Sequence, residues 1–236
     1  MNKFSHKEIW KMFDSITPRY DFLNHFLSLG LDFLWRRKLS KNIKIKETTN
    51  ILDICTGTGD QIFSFLKNRT CDPNTVKGID MSEKMLEIGK SKSKKKKLDS
   101  IVSFKREDAL NINSDSSSID VVTISFGIRN VSDTAKCLNE MYRVLKPCGQ
   151  VLILEFSIPS LPIIKHLYIL HLTYILPLIA GIFTNNKQAY LYLGNTIKLF
   201  PCGENFLAYL QRAGFCNIKQ EKMCFGAVTL YKGLKQ

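Results

Sequence analysis

Short runs of apolar residues alternate with amphipathic segments through the middle of the chain. The first run, ILDI at 51–54, is nearly continuous, which is typical of a strand buried on both faces. Further runs follow at 75–80, 101–105, 119–125 and 150–156, with helix-like segments between them. Five strand–helix repeats within about 110 residues predict an α/β fold with a parallel, doubly wound sheet. Ligands of such a sheet bind at the carboxyl ends of its strands.

The two ends of the chain carry different patterns. Residues 7–39 hold seven aromatic side chains, and helices covering the sheet would bury them. Near the carboxyl end, 205–213 reads as an amphipathic helix that ends at Gly214. The segments 217–223 and 226–232 are two further candidate strands.

The turn after the first strand, CTGTG, suggests a ligand. Gly57 and Gly59 would let the backbone approach that ligand at a helix N-terminus, and the acid Asp53 precedes them. A dinucleotide fingerprint would need a third glycine where Ile62 stands, and a phosphate-binding loop would need a lysine that is absent. The turn therefore favours a nucleoside ligand without a phosphate chain, of which S-adenosylmethionine is the commonest.

Acidic residues follow the next two strands. Asp80 ends the second strand, 23 residues beyond Gly57, where it could accept hydrogen bonds from ribose hydroxyls. Asp80 could instead cap the next helix, but Ser82 is the better cap and would leave Asp80 to the ligand. Asp108 follows the third strand, and we expect it to contact the adenine amino group rather than to be a loop acid.

Four motifs extend this pattern: YDFLN at 20–24, LDICTGTGD at 52–60, ISFGIRNVSD at 124–133 and MYRVLKPCGQVLILEFSIP at 141–159. With them the chain resembles the ubiquinone/menaquinone biosynthesis C-methyltransferase family (UbiE/MenG type). The resemblance implies a class I S-adenosylmethionine-dependent methyltransferase fold, which is Rossmann-like with an antiparallel edge formed by the last two strands.

The resemblance also implies cofactor-binding residues, namely Thr58, Asp80, Asp108, Ala109 and Ser125. Family members often carry asparagine in place of Asp108, and either side chain can accept from the adenine amino group. They usually carry glycine in place of Cys148, which lies in a turn.

The resemblance implies that the reaction is C-methylation of a polyprenyl quinol ring, most simply demethylmenaquinol to menaquinol. An aromatic carbon becomes nucleophilic when an adjacent hydroxyl loses its proton, so a cationic partner should favour the quinolate. Arg129 and Asn130 follow the fourth strand, and we expect Arg129 to stabilise the quinolate and Asn130 to orient it. His166 and His171 are titratable alternatives, although each fits a core histidine better. A benzoquinol substrate, an RNA or other small-molecule substrate, or a binding module without chemistry stay open as alternatives.

The chain has 236 residues and a mass of 27.0 kDa, which suits a single methyltransferase domain. The expected parts are an N-terminal helical cap (1–49), a cofactor-binding half (50–157), an apolar lid insert (158–200) and a carboxyl-terminal helix with strands (201–236). The seven cysteines are scattered without CxxC spacing, so neither a metal site nor a disulfide framework is predicted. That usage favours the reducing cytoplasm.

The net charge of +13 would suit nucleic acid, anionic lipid or general solubility, and charge alone does not decide among them. No RNA-binding module is legible, so no nucleic-acid partner is expected. The apolar segment 161–183 is about as long as a membrane span, but Lys165 and two prolines interrupt it. We expect it to cover a pocket for a prenyl tail and to hold the protein peripherally at the inner face of the cell membrane. The oligomeric state stays open, a homodimer included.

Overall fold

The computed structural model describes residues 10, 11, 14, 17, 20–67, 72–178 and 187–236. Within these residues seven strands form one sheet, in the order β3-β2-β1-β4-β5-β7-β6. They are β1 (Asn50–Ile54), β2 (Thr75–Asp80), β3 (Val102–Arg106), β4 (Ile119–Ser125), β5 (Leu145–Phe156), β6 (Cys216–Met223) and β7 (Val228–Leu234).

The strand directions confirm the predicted fold class. Strands β1 to β5 pair in parallel, whereas β7 pairs antiparallel with both β5 and β6 and so forms the antiparallel edge. The chain order of the strands reverses between β1 and β4, which are neighbours in the sheet. A crevice at such a reversal, outside the carboxyl ends of the strands, is where open α/β sheets bind ligands.

Five of the described helices pack on the two faces of the sheet. On one face lie α2 (Leu31–Ser40), α3 (Asp60–Lys67) and α4 (Glu83–Lys95), and on the other α5 (Thr134–Val144) and α8 (Glu204–Arg212). Successive residues of β1 serve opposite faces, since Ile51 packs with the first set of helices and Leu52 with the second. Burial on both faces explains why β1 is written as a continuous apolar run.

Most strand boundaries match the prediction to within two residues: β1 and β6 begin one residue earlier than predicted, and β7 spans Val228–Leu234 rather than 226–232. Strand β3 begins at Val102 rather than one residue earlier. The KPCG segment, predicted as a turn before the fifth strand, is instead an irregular part of β5. There the pairing with β4 slips between Ile119–Leu145 and Val121–Gln150, and Cys148 has a φ of 63°. A β-bulge accommodates the extra residues and needs a left-handed position, where a glycine would be less strained.

The remaining helices form a layer beside the sheet. They are α1 (Tyr20–Leu27), α6 (Pro162–Leu170), which continues into a π-helical turn (His171–Ile175), and α7 (Lys187–Leu199). A third apolar cluster unites them through Leu23, Leu172, Leu176, Tyr192 and Ile197. Phe13 and residues 179–183, which belong to the predicted cap and insert, lie outside the described residues. Among the described helices, none is long and apolar enough to cross a membrane.

Candidate active site

Two strained turns meet at the carboxyl ends of β1 and β4. Cys55 and Phe126 each follow a strand directly, and their φ angles of 51° and 59° are in the left-handed region. Non-glycine residues are uncommon there, and such strain is often found at functional sites. A Cβ placed on Gly127 would lie 2.4 Å from the Cβ of Cys55. Only glycine therefore lets the turn after β4 approach the turn after β1 so closely.

A cavity of about 340 Å³ opens beside these turns, which is the size of a small-molecule site. Six of the ten residues predicted for the site line it: Gly57, Asp80, Asp108, Ala109, Ser125 and Asn130. Trp10, Met81 and Met85 add apolar surface to the same cavity. The other four predicted residues, Asp53, Thr58, Gly59 and Arg129, are not among its lining residues.

Asp80 organises the cavity wall. Its carboxylate accepts hydrogen bonds of 2.9 Å from the backbone N–H of Gly57 and of 2.9 Å from that of Ser82. The sequence correctly made Ser82 the helix cap, since its hydroxyl accepts from the N–H of Met85 at 3.3 Å. The sequence also predicts that the Asp80 carboxylate is free for a ligand. In the structure both of its oxygens already accept backbone hydrogen bonds, so a ligand would share them. Burial raises the pKa of Asp80, while the backbone hydrogen bonds from Ser82 and Gly57 oppose that rise.

The two glycines of the first turn have different surroundings. Gly57 has a φ of 55° and lies at the cavity, where an added Cβ would make only an ordinary 3.6 Å contact with Met85. Gly59 has a φ of 84°, and an added Cβ would come within 2.8 Å of the ring of Phe104 on β3. Gly59 thus serves the packing of the turn against the sheet, and Gly57 serves the approach to the cavity.

The side chain of Thr58 makes hydrogen bonds to residues of two helices, α1 and α4. Its hydroxyl donates to Asp21 of α1 at 2.6 Å and accepts from Lys92 at 3.0 Å. Lys92 in turn pairs with Asp21 at 2.7 Å and with Asp60 at 2.8 Å. The YDFLN motif therefore contributes Asp21, which ties α1 to the glycine turn.

Asp53 lies below the cavity, 1% exposed. It accepts hydrogen bonds from the hydroxyls of Thr123 at 2.5 Å and Thr56 at 2.6 Å. Burial raises its pKa from 3.8 to about 6, although the two threonine hydrogen bonds oppose that rise. Its carboxylate thus links the side chain of Thr56 in the turn to that of Thr123 on β4.

The raised pKa of Asp53 predicts a pH dependence of stability. Between pH 3.8 and about 6 the folded protein holds a proton that the unfolded chain has released. The stabilisation is therefore complete below pH 3.8 and is lost as the pH rises through about 6. Relative to Asp53→Asn, we expect the unfolding free energy of the wild type to fall by at most about 3 kcal/mol between about pH 4 and 7.

Urea unfolding of both proteins across this range measures the difference. The exposed Asp115 supplies the control, since Asp115→Asn should keep the wild-type pH profile. A constant difference between wild type and Asp53→Asn at every pH would contradict the assignment.

Ser125 ends β4 and Asp108 follows β3, and both line the cavity. The Ser125 hydroxyl donates to Oε1 of Gln61 at 3.1 Å. Asp108 is exposed at the rim and accepts from the N–H of Leu110 at 2.9 Å, in a short turn that presents the buried Ala109.

Arg129 lies behind the cavity, in a 3₁₀ turn at Ile128–Asn130. Its Nη1 donates to the carbonyl of Phe126 at 2.6 Å and to Oε1 of Glu155 at 2.6 Å. The Arg129 side chain is 7% exposed and that of Glu155 is fully buried. Burial raises the pKa of Glu155, and the charge of Arg129 opposes that rise. Glu155 was missed by the sequence analysis, although an acid inside a buried strand is a signal that it has a charged partner.

Comparison with known proteins agrees with this geometry. The sequence model of the ubiE/COQ5 methyltransferase family matches residues 1–235. A demethylmenaquinone methyltransferase of Bacteroides fragilis is 39% identical, over 97% of this chain and 93% of its own. A ubiquinone/menaquinone biosynthesis C-methyltransferase UbiE of Geotalea daltonii is 42% identical, over 97% of both chains.

The fold has relatives among solved structures. One of them is a SAM-dependent methyltransferase of Thermotoga maritima, described as a possible histamine N-methyltransferase, with a TM-score of 0.63 and 19% identity. The alignment covers 96% of this chain and 99% of that one. At that identity the likeness supports the fold alone. The sequence match is stronger, and on its near-complete coverage the chain belongs to the ubiE/COQ5 methyltransferase family and is an S-adenosylmethionine-dependent methyltransferase.

Proposed function

We propose that the enzyme transfers the methyl group of S-adenosylmethionine to a ring carbon of demethylmenaquinol, giving menaquinol. One observation carries this proposal: the turn after β4 borders the cavity on one side and the apolar layer on the other. Asn130 lines the cavity, while Arg129 is close enough to Tyr168 and Tyr192 of that layer to influence their pKa values. The polar cofactor and the apolar quinol can thus be bound next to each other.

The cavity residues suit the parts of the cofactor. Asp80 retains lone pairs on both carboxylate oxygens, so it can accept from the ribose hydroxyls while holding the backbone. Asp108 and Ala109 form the rim where adenine would lie, and Gly57 and Ser125 border the remainder. Thr58, Gly59 and Asp53 support this wall from behind.

The sulfonium supplies a methyl group that is already activated for transfer. The protein has to align it with a ring carbon, and proximity with orientation can supply most of the acceleration. Among the described residues, Nε of Arg129 and Oδ1 of Asn130 are buried and have no hydrogen-bond partner. A guanidinium held by Glu155 can stabilise the quinolate through Nε, and Asn130 can orient the ring. These roles for Arg129 and Asn130 rest on that geometry.

The test is an assay with purified enzyme, S-adenosylmethionine and chemically reduced short-tailed demethylmenaquinone. Mass spectrometry should detect one added methyl group on a ring carbon. A benzoquinol is the second candidate, because one relative is named for both ubiquinone and menaquinone biosynthesis. The same assay with a demethylated polyprenyl benzoquinol separates the two, and methylation of neither would overturn the proposal.

We further propose that the enzyme works in the cytoplasm, peripherally on the membrane, with the insert at 158–200 as a lid over the prenyl tail. Helix α6 buries none of its residues, and Ile163, Leu167 and Leu170 are 77%, 64% and 50% exposed. An exposed apolar helix on a basic protein is suited to an anionic bilayer surface.

The double variant Leu167→Glu/Leu170→Glu tests this surface. We expect binding to anionic vesicles to weaken at least about tenfold, since losing the burial of even one leucine costs ~1.5 kcal/mol or more. Sedimentation with vesicles measures the change, and methylation of long-tailed quinols should fall more than that of short-tailed ones.

Ser116→Glu is the matched control, because it adds a charge at the exposed loop before β4, at the other end of the sheet. It should bind vesicles like the wild type, and the affinity for S-adenosylmethionine should be normal in both variants. An equal loss of activity on long and short tails would mean that α6 is a structural element and not a membrane contact.

A further inference from the structure

Helix α7 brings a buried tyrosine to the turn that carries Arg129. The helix packs against Ile128–Asn130, and Tyr192 on it is 8% exposed. Its ring belongs to the apolar cluster that includes Leu23 and Leu172. Burial raises the pKa of Tyr192, and the charge of Arg129 opposes part of that rise.

The hydroxyl of Tyr192 is buried and, within the described part of the chain, has no hydrogen-bond partner. Nε of Arg129 and Oδ1 of Asn130 are likewise buried and, among the described residues, have no hydrogen-bond partner. A buried polar atom without a partner costs about 1–3 kcal/mol, so native proteins contain few of them. The three belong to α7 and to the turn against which it packs, and we read them as partners of one polar ligand rather than as three separate defects.

The three atoms also complement a quinol in hydrogen-bonding character. Nε of Arg129 only donates, Oδ1 of Asn130 only accepts, and the hydroxyl of Tyr192 can do both. A quinol presents two ring oxygens, each of which can donate and accept. Burial raises the pKa of Tyr192, so its hydroxyl keeps its proton at neutral pH and can donate to a quinolate oxygen.

We propose that Tyr192 is a substrate-binding residue whose hydroxyl hydrogen-bonds a ring oxygen of the quinol beside Arg129 and Asn130. This inference rests on the proposed function and adds to it a specificity contact supplied by α7. Because the apolar cluster holds the tyrosine ring, the contact also sets where the quinol ring lies relative to the turn after β4.

Tyr192→Phe is the direct test, since it removes only the hydroxyl. We expect kcat/KM for the quinol to fall about tenfold or more, as for a lost hydrogen bond to a partly charged oxygen. The Kd for S-adenosylmethionine should be unchanged. The melting temperature should be equal or higher, because an unpartnered buried hydroxyl has been removed. Tyr174→Phe, at a tyrosine of the same layer that is 69% exposed, should behave like the wild type.

Three outcomes separate the possibilities. If the wild type methylates the quinol and Tyr192→Phe does so equally well, the inference is overturned while the proposed function stands. A lower melting temperature that accompanies the loss of activity would assign Tyr192 a structural hydrogen bond, which also overturns it. If the wild type methylated no quinol, the proposed function and this inference would fall together.

Discussion

Replacement of Asp80 by asparagine should weaken S-adenosylmethionine binding about 30- to 150-fold, or about 2–3 kcal/mol. The carboxylate is expected to accept from the ribose hydroxyls while accepting from the backbone N–H groups of Gly57 and Ser82. An asparagine amide would turn an N–H group toward one of these donors, so the cavity wall and the ligand contact would be lost together. Isothermal titration with S-adenosylmethionine measures the loss.

Asp99→Asn is the matched control, because it makes the same chemical change at an exposed loop after α4. It should bind the cofactor with wild-type affinity. Circular dichroism of the Asp80→Asn protein should show that the sheet has formed. A folded Asp80→Asn protein with normal affinity would remove Asp80 from the cofactor site.

The second large effect is expected at the buried ion pair. Glu155→Gln removes the negative charge that faces Arg129. Both side chains are buried, Glu155 fully and Arg129 with 7% of its side chain exposed. Breaking a buried pair leaves an uncompensated charge, so the free energy of unfolding should fall by about 3–5 kcal/mol. Urea unfolding measures it. Glu83→Gln breaks the exposed pair with Lys90 and should cost less than about 1 kcal/mol.

A double replacement separates stability from catalysis at this pair. Arg129→Met/Glu155→Leu removes both charges and should recover most of the stability, because apolar residues of similar size replace buried pairs well. Its methyltransferase activity should stay low, since no guanidinium remains to stabilise a quinolate. Recovery of full activity along with stability would show that Arg129 has only a structural role.

The strands were predictable because each buried strand is a local run of apolar residues. Ile119–Ser125 is apolar enough to be recognised without any knowledge of its neighbours, and its predicted limits are those of β4. The acid at the end of β2 was found for the same reason, since its position after a strand fixes where it points. Residues whose role follows from the course of the backbone are thus open to prediction.

Roles that depend on distant side chains were not predictable. Thr58 meets Asp21 across 37 residues of sequence, and Arg129 meets Glu155 across 26. The sequence shows each of these residues, but it does not show that the two members of each pair are in contact in the fold. The packing role of Gly59 was hidden for a similar reason, because the ring that excludes a side chain there belongs to Phe104 on another strand.

The contact between Gly127 and Cys55 affects how the cavity responds to its ligand. Because the two turns touch with no room for a further methyl group, neither wall can move inward or slide without displacing the other. The part of the cavity wall that these two turns form should therefore keep much the same shape whether the cavity is empty or filled. Binding then orders few protein groups, and the entropy lost is mainly that of the ligand, as in a preorganised receptor.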